Sequence, residues 1–314
     1  MICFIFMNFL NPYNCHFRGG RNRRNISPTI GWQPNDVKLS IVLPFHELNK
    51  AVVSETIHRM VAVGSPCSKN AASPVQLIVY GNVSALVDKE KPVIWVMEGL
   101  GMYYSCFSKV VVLGTAELSP EDPGGPNAVV NKMFFDLFLN DAVRNRFPSS
   151  THAFWMEPDA TPVRPHWIDA LVGLAARSNF WMAGSVYRGS ALDEAAESPG
   201  NRNWVGRIGG SAIYNMRDAS FSEFLRVVTH YEPAATRTCK FDVSIWRVLH
   251  TFPYTWPLYQ AARSRFVHAN FLHDWASRIS PSDVARTRAG PAAYFVHGSS
   301  AADADLPQPA PPTA

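Results

Sequence analysis

The chain has 314 residues, 47% of them hydrophobic and 17% charged, with nine Trp and nineteen Phe. This composition excludes a disordered or collagen-like chain and indicates a globular protein with aromatic-rich packing. The net charge of +4 resides at the N-terminus, where Arg18, Arg21, Arg23 and Arg24 precede the first acidic residue, Asp36; the neutral remainder lacks the broad basic face that nucleic-acid binding needs. At about 150 residues per domain two domains would fit, although one α/β domain of this length is common.

In chain order, the opening MICFIFMNFL is apolar, but its ten residues are about half the roughly 20 that a membrane-spanning helix needs. The arginines follow the apolar run instead of preceding it, the reverse of a signal peptide. Residues 1–36 are therefore expected to be disordered, or the remnant of an anchor. A first buried strand is predicted over Val37 to Leu43, ending at Pro44. A helix follows over Ala51 to Val63, with Val52, Thr56, Met60 and Val63 at helical spacing. Val75 to Tyr80 and Lys109 to Leu113 read as two more strands, each stopping at a glycine. Near-continuous apolar strands separated by helices predict a parallel sheet covered on both faces.

The clearest helix runs over Asn127 to Phe147, with an apolar stripe of Val130, Phe134, Leu137 and Phe138 and with Gly124, Gly125 and Pro126 ahead of it. Ala153 to Met156 is a short strand entering Glu157-Pro158-Asp159. A helix is expected from His166 to Arg177, then strands over Phe180 to Val186 and Ser211 to Tyr214, with Gly209-Gly210 as the turn before the last. The terminal residues 300–314, rich in Ala and Pro, are expected to be a disordered tail. The folded domain is thus placed at 37–299.

The five cysteines, Cys3, Cys15, Cys67, Cys106 and Cys239, are widely spaced and contain no zinc-type pair, so they are read as inert thiols. Sequons at Asn25 and Asn82 matter only in a secretory compartment. Ser185 and Ser211 lack a nucleophile elbow, and Gly99 and Gly101 lack the third glycine of a dinucleotide fingerprint. His268, His273 and Asp274 cluster near Trp275 but are read as packed or solvated groups.

In open α/β sheets, ligands bind beyond the carboxyl ends of the strands. Glu157 and Asp159 stand at such an end, and two carboxylates separated by a rigid proline can hold a hard divalent cation. The same tripeptide can equally be a turn that caps its own backbone.

The segment FWMEPDATPVRPHWIDAL, followed by FWMAGSVYRG, GGSAIYN and YFVHGS, resembles the acidic-motif region of GT-A glycosyltransferases, including those with an E-P-D form of the D-x-D motif. The resemblance covers residues 37–299. It implies an α/β, GT-A-like single domain with a mixed, mostly parallel central sheet flanked by helices. It also implies transfer of a sugar from a nucleoside-diphosphate sugar to an acceptor hydroxyl, on a glycan, protein or small molecule, with Mn²⁺ or Mg²⁺ as cofactor. Asp159 would bind the metal directly, Glu157 would contact the ribose or the metal, and His297 would complete the metal shell. Pro44, Phe45, His46 and Glu47 would flank the nucleotide base as a loop, and Asn131 and Lys132 would reach toward the donor. The chain departs from the commonest pattern by placing Glu157 first and Gly209-Gly210 where an Asn-Gly is frequent.

If the reaction inverts the anomeric centre, Asp242 in KFDVSIW is the expected general base, with a helix N-cap as its structural alternative. Aromatic residues such as Trp181, Tyr187, Trp204 and Tyr214 could stack on sugar rings or form core. A catalytically inactive sugar-nucleotide or glycan binder and a metal-dependent nucleotidyltransferase are the rival readings. Which sugar, which acceptor and which compartment, cytoplasmic or Golgi/ER lumen with a longer anchor ahead of this start, stay open, as does membrane association.

Overall fold

A computed structural model describes residues 36–48, 50–68, 75–82, 91–115, 125–146, 149–177, 179–186, 207–231, 240–250, 260, 262–274 and 292–297. Of the two predicted terminal segments, 1–36 and 300–314, all but Asp36 lie outside these ranges. Among the described residues no helix is long and apolar enough to cross a membrane.

The first half alternates strand and helix. β1 (Leu39–Glu47), α1 (Lys50–Val61), β2 (Val75–Asn82), α2 (Lys91–Leu100), β3 (Phe107–Thr115) and α3 (Gly125–Leu139) lead through the short α4 (Asp141–Arg144) into β4 (His152–Trp155). The second half holds β5 (Thr161–Pro162), α5 (Trp167–Arg177), β6 (Met182–Val186), β7 (Ile208–Asn215), α6 (Ala219–Tyr231) and α7 (Phe241–His250), then β8 (Phe266–His268), β9 (Leu272–Asp274) and β10 (Phe295–His297).

Seven strands form one sheet in the order β3-β2-β1-β4-β7-β6-β8. β4 and β6 both pair antiparallel with β7, while the other pairs are parallel, so the sheet is mixed and mostly parallel, as expected. Strand alternation divides the core. On one face Ile41, Leu43, Leu77 and Val79 pack with Val53 and Ile57 of α1, Leu100 of α2 and Trp167 of α5. On the other, Val42, Ile78 and Trp155 pack with Phe134 and Phe138 of α3, Phe221 of α6 and Phe241 of α7. Each such side chain contributes about 1.5–3 kcal/mol when fully buried.

Several local expectations change. β1 runs through Pro44 to Glu47. β4 pairs with β1 only over Leu39 to Val42, so Pro44 lies where one side of the strand has no ladder to break. The inward face of α1 is Val53, Thr56, Ile57 and Met60, whereas Val52 is exposed. The helix predicted over Asn127 to Phe147 stops at Leu139, because the Asn140 side chain accepts from Ala142 N–H and starts α4 anew. Gly209 and Gly210 belong to β7 and form no turn.

Cys67 and Cys106 are not free thiols: they form a disulfide with Cα atoms 5.7 Å apart. The bridge ties the segment after α1 to the residue before β3. Spacing suitable for zinc was the wrong test for them, because a disulfide between distant segments leaves no local pattern.

Candidate metal and donor site

The site is built where β4 ends. Strand pairing breaks after Trp155, and the Ala160 N–H bonds the Glu157 carbonyl at 2.9 Å, closing a four-residue turn with Pro158 second, where its fixed φ suits the turn. Two contacts fix the turn from outside. Arg59 of α1 donates through Nη2 to the Pro158 carbonyl at 3.0 Å, and the Glu157 N–H donates to Ser211 Oγ of β7 at 3.3 Å. Below it Phe134, stacked on Phe241 at 3.8 Å and edge-on to Trp155 at 5.5 Å, gives a rigid aromatic floor.

His297 arrives from the other end of the chain through a second, three-stranded sheet, β5-β10-β9. β10 is antiparallel to β5, with Phe295 opposite Pro162 and Val296 opposite Thr161. One further step in that register puts His297 alongside Ala160, next to Asp159. Phe295 is fully buried and packs edge-on against Trp167 at 5.3 Å, so it anchors the strand that presents the imidazole.

His297 Nε2 lies 2.6 Å from Glu157 Oε2 and 3.2 Å from Asp159 Oδ1. One ligand atom from each residue falls within 4.8 Å of the other two. Around a small octahedral cation with bonds of about 2.1 Å, adjacent ligand atoms stand about 3 Å apart, and the 2.6 Å and 3.2 Å separations from His297 lie on either side of that value. The other positions of its shell would remain for phosphate oxygens or water.

Neighbouring positive charge keeps both carboxylates in the ionised form. Burial alone would raise the Glu157 carboxyl, but Lys240 and His297 outweigh it and hold it below its ordinary value. Burial likewise opposes the shift at Asp159, yet hydrogen bonding and charge from His297 bring that carboxyl down to about 2. Both are ionised near neutrality. Lys240, just before α7, is raised chiefly by the Glu157 carboxylate; it is solvent-exposed, and its charge overlooks the acidic pair.

Asp242 is not an N-cap. The Lys240 carbonyl receives the N–H groups of Val243 and Ser244, which puts Asp242 inside the first turn of α7. Its Oδ2 accepts from Arg207 Nε at 3.0 Å, with both side chains buried. Oδ1 has no hydrogen-bond partner among the described residues. A cavity of about 90 Å³ reaches Asp242 between α7 and the strands β6 and β8, lined also by Ile208, Trp246, Phe266 and His268.

The remaining candidates scatter. Pro44 and Phe45 are buried in β1 and do not form a loop; Phe45, 1% exposed, offers no open face to a base. His46 faces solvent, and the Glu47 side chain lies outside the described residues. Asn131 is buried in α3, and Lys132 is paired with Asp136 one turn on at 2.7 Å. Trp181 and Tyr214 are core, while Tyr187 and Trp204 lie outside the described residues. Ser185 donates to the Ala269 carbonyl and accepts from Leu272 N–H, a structural duty. His268 is exposed; the side chains of His273 and Asp274 are outside the described residues. Sequence reading gave Arg59, Ser211, Arg207 and Lys240 no role at this site. Ser211 and Lys240 lie within the GGSAIYN and KFDVSIW segments, but what brings them to Glu157 is tertiary packing, which no local pattern encodes.

No family model matches the sequence, and no curated protein aligns with it. Two solved structures overlay on the chain at low identity. One is a glycosyltransferase involved in glycosylation of the major capsid of PBCV-1, at 10% identity and a TM-score of 0.43, covering 86% of this chain and 96% of that one. The other is mouse xyloside xylosyltransferase 1 in its apo form, at 11% identity and a TM-score of 0.48, covering 87% and 99%.

Proposed function

We propose that the chain is a metal-dependent glycosyltransferase of GT-A-like fold, moving a sugar from a nucleoside-diphosphate sugar to an acceptor hydroxyl. The observation that carries this reading is the meeting of Glu157, Asp159 and His297, from two distant segments, at the strand-end turn of a mixed α/β sheet. A divalent ion held there would act as a Lewis acid on the departing diphosphate. Lys240, beside the acidic pair, adds positive charge where that phosphate charge develops.

In the inverting form of the reaction, Asp242 Oδ1 takes the proton of the acceptor hydroxyl as the hydroxyl oxygen bonds the anomeric carbon and the carbon–phosphate-oxygen bond breaks. Arg207 holds the opposite carboxylate oxygen and fixes the direction of Oδ1. The cavity beside Asp242 gives the acceptor an approach. On the donor side, exposed His46 and partly exposed Lys132 are kept as proposed nucleotide contacts, whereas buried Asn131 is not.

The Cys67–Cys106 bridge supports residence in an oxidising compartment such as a secretory lumen, since such bridges are rare where thiols are kept reduced.

The test is a panel of sugar nucleotides with and without Mn²⁺, read as thermal stabilisation and as release of nucleoside diphosphate. Metal-dependent release from a sugar nucleotide supports the reading. Pyrophosphate release from a nucleoside triphosphate would make the protein a nucleotidyltransferase, and donor binding without turnover on any acceptor an inactive relative.

A further inference from the structure

Gly210 of β7 faces the Glu157 carboxylate. A Cβ placed on Gly210 would stand 2.9 Å from Glu157 Oε1 and 3.2 Å from Phe241 Cζ. Its backbone does not explain the glycine: among the described residues the positive-φ glycines are Gly64 and Gly101, so Gly210 holds a conformation open to any residue. β7 is held on either side of Gly210. The Gly210 carbonyl accepts from Tyr214 Oη at 2.8 Å, Ser211 Oγ takes the Glu157 N–H, and β7 pairs with β4 from Ile213 to Asn215 and with β6 at Ile208 and again from Ala212 to Tyr214. The glycine is needed for space, and the space is filled by the longer arm of a glutamate.

We propose that Gly210 and Glu157 are a size-complementary pair, in which the side chain missing from β7 sets where the Glu157 carboxylate lies and thereby the cation affinity of the site. The inference rests on the metal reading for its consequence, though not for its geometry. A methyl group on Gly210 drives Oε1 away from the position in which Oε2 meets His297. Shortening Glu157 to Asp draws the carboxylate back by one carbon–carbon bond, about 1.5 Å, and relieves the contact. Gly210 is thus a positioning residue, and the sequence's departure from an Asp-first motif is coupled to a glycine 53 positions later.

The experiment measures Mn²⁺ affinity by the paramagnetic resonance of the free ion, in the full chain and in Gly210→Ala, Glu157→Asp, the double variant, and Gly210→Ala with Phe241→Leu. Gly210→Ala should weaken Mn²⁺ binding at least tenfold, and Glu157→Asp should restore most of that loss. Unchanged affinity in Gly210→Ala, or rescue by Phe241→Leu in place of Glu157→Asp, overturns the pair. Urea unfolding in EDTA separates the pair from the metal reading: Gly210→Ala should lower the midpoint less in the Glu157→Asp background than in the parent. If the parent binds no Mn²⁺ but this coupling is present, the metal reading fails and the pair stands; additive midpoints overturn the pair whatever the metal does.

Discussion

His297 Nε2 and Glu157 Oε2 lie 2.6 Å apart, brought together because β10 pairs antiparallel with the strand that follows the Glu157 turn. The contact makes the metal site depend on a segment remote from it in sequence. His297→Ala should retain the fold, since Phe295 and Val296 supply the buried anchors of β10, but should raise the Mn²⁺ concentration for half-maximal activity by about tenfold or more. An unchanged metal titration removes His297 from the ligand set and leaves the acidic pair in place.

Asp159 is half exposed, with 51% of its side-chain surface accessible, and contributes little to packing. Asp159→Asn should abolish metal-dependent donor binding and turnover with a melting temperature near the parent's. Glu157→Gln should reduce activity less but stability more, because Glu157 is buried beside Lys240 and His297. Near-parental activity of Asp159→Asn in manganese would place the chemistry elsewhere.

Asp242→Asn removes the buried carboxylate charge that pairs with Arg207 at 3.0 Å. Removing one partner of a buried pair costs about 3–5 kcal/mol, with Asn at the low end since it still offers a hydrogen-bond acceptor. Urea denaturation should show that loss. If Asp242 is the base, metal-dependent donor binding survives while transfer falls by on the order of 10² or more; parental transfer by the folded variant would make the pair purely structural.

His152 in β4 is fully buried between Thr151 Oγ1, 3.0 Å from its Nδ1, and the Phe180 ring. Burial, with Arg217 adding to it, lowers its pKa from 6.5 to about 4. The folded state then binds fewer protons than the unfolded one between those values, so this residue makes stability fall as pH drops from about 6.5 to 4, by about 3 kcal/mol in all. Urea midpoints over pH 4–7 should show that slope in the parent and lose it in His152→Gln. Equal slopes in the two proteins would mean that His152 titrates normally.

The Cys67–Cys106 bridge spans 39 positions, for which chain entropy gives a stabilisation of about 4 kcal/mol. The paired Cys67→Ser/Cys106→Ser variant should melt at a lower temperature than the parent, and dithiothreitol should bring the parent down to the same value without affecting the variant. Insensitivity of the parent to reductant would show that the bridge is not formed.

The sequence by itself determined the α/β alternation, because the apolar runs at Val75 to Tyr80 and Lys109 to Leu113 and the stripe of Phe134, Leu137 and Phe138 follow from side-chain periodicity, a local property. It also marked Glu157 and Asp159, since a strand running into E-P-D needs no long-range knowledge. His297 came from resemblance alone, because nothing around it encodes its pairing with β5. Only the tertiary structure decided the rest. Whether Pro44 ends β1 depends on how far β4 pairs with it; whether Cys67 is a thiol depends on where Cys106 lies; whether Asp242 caps a helix or pairs with Arg207 depends on the approach of β7 to α7. Gly210 shows the same division at one position: its type is written in the sequence, but its reason is the Glu157 carboxylate, which the sheet places against it.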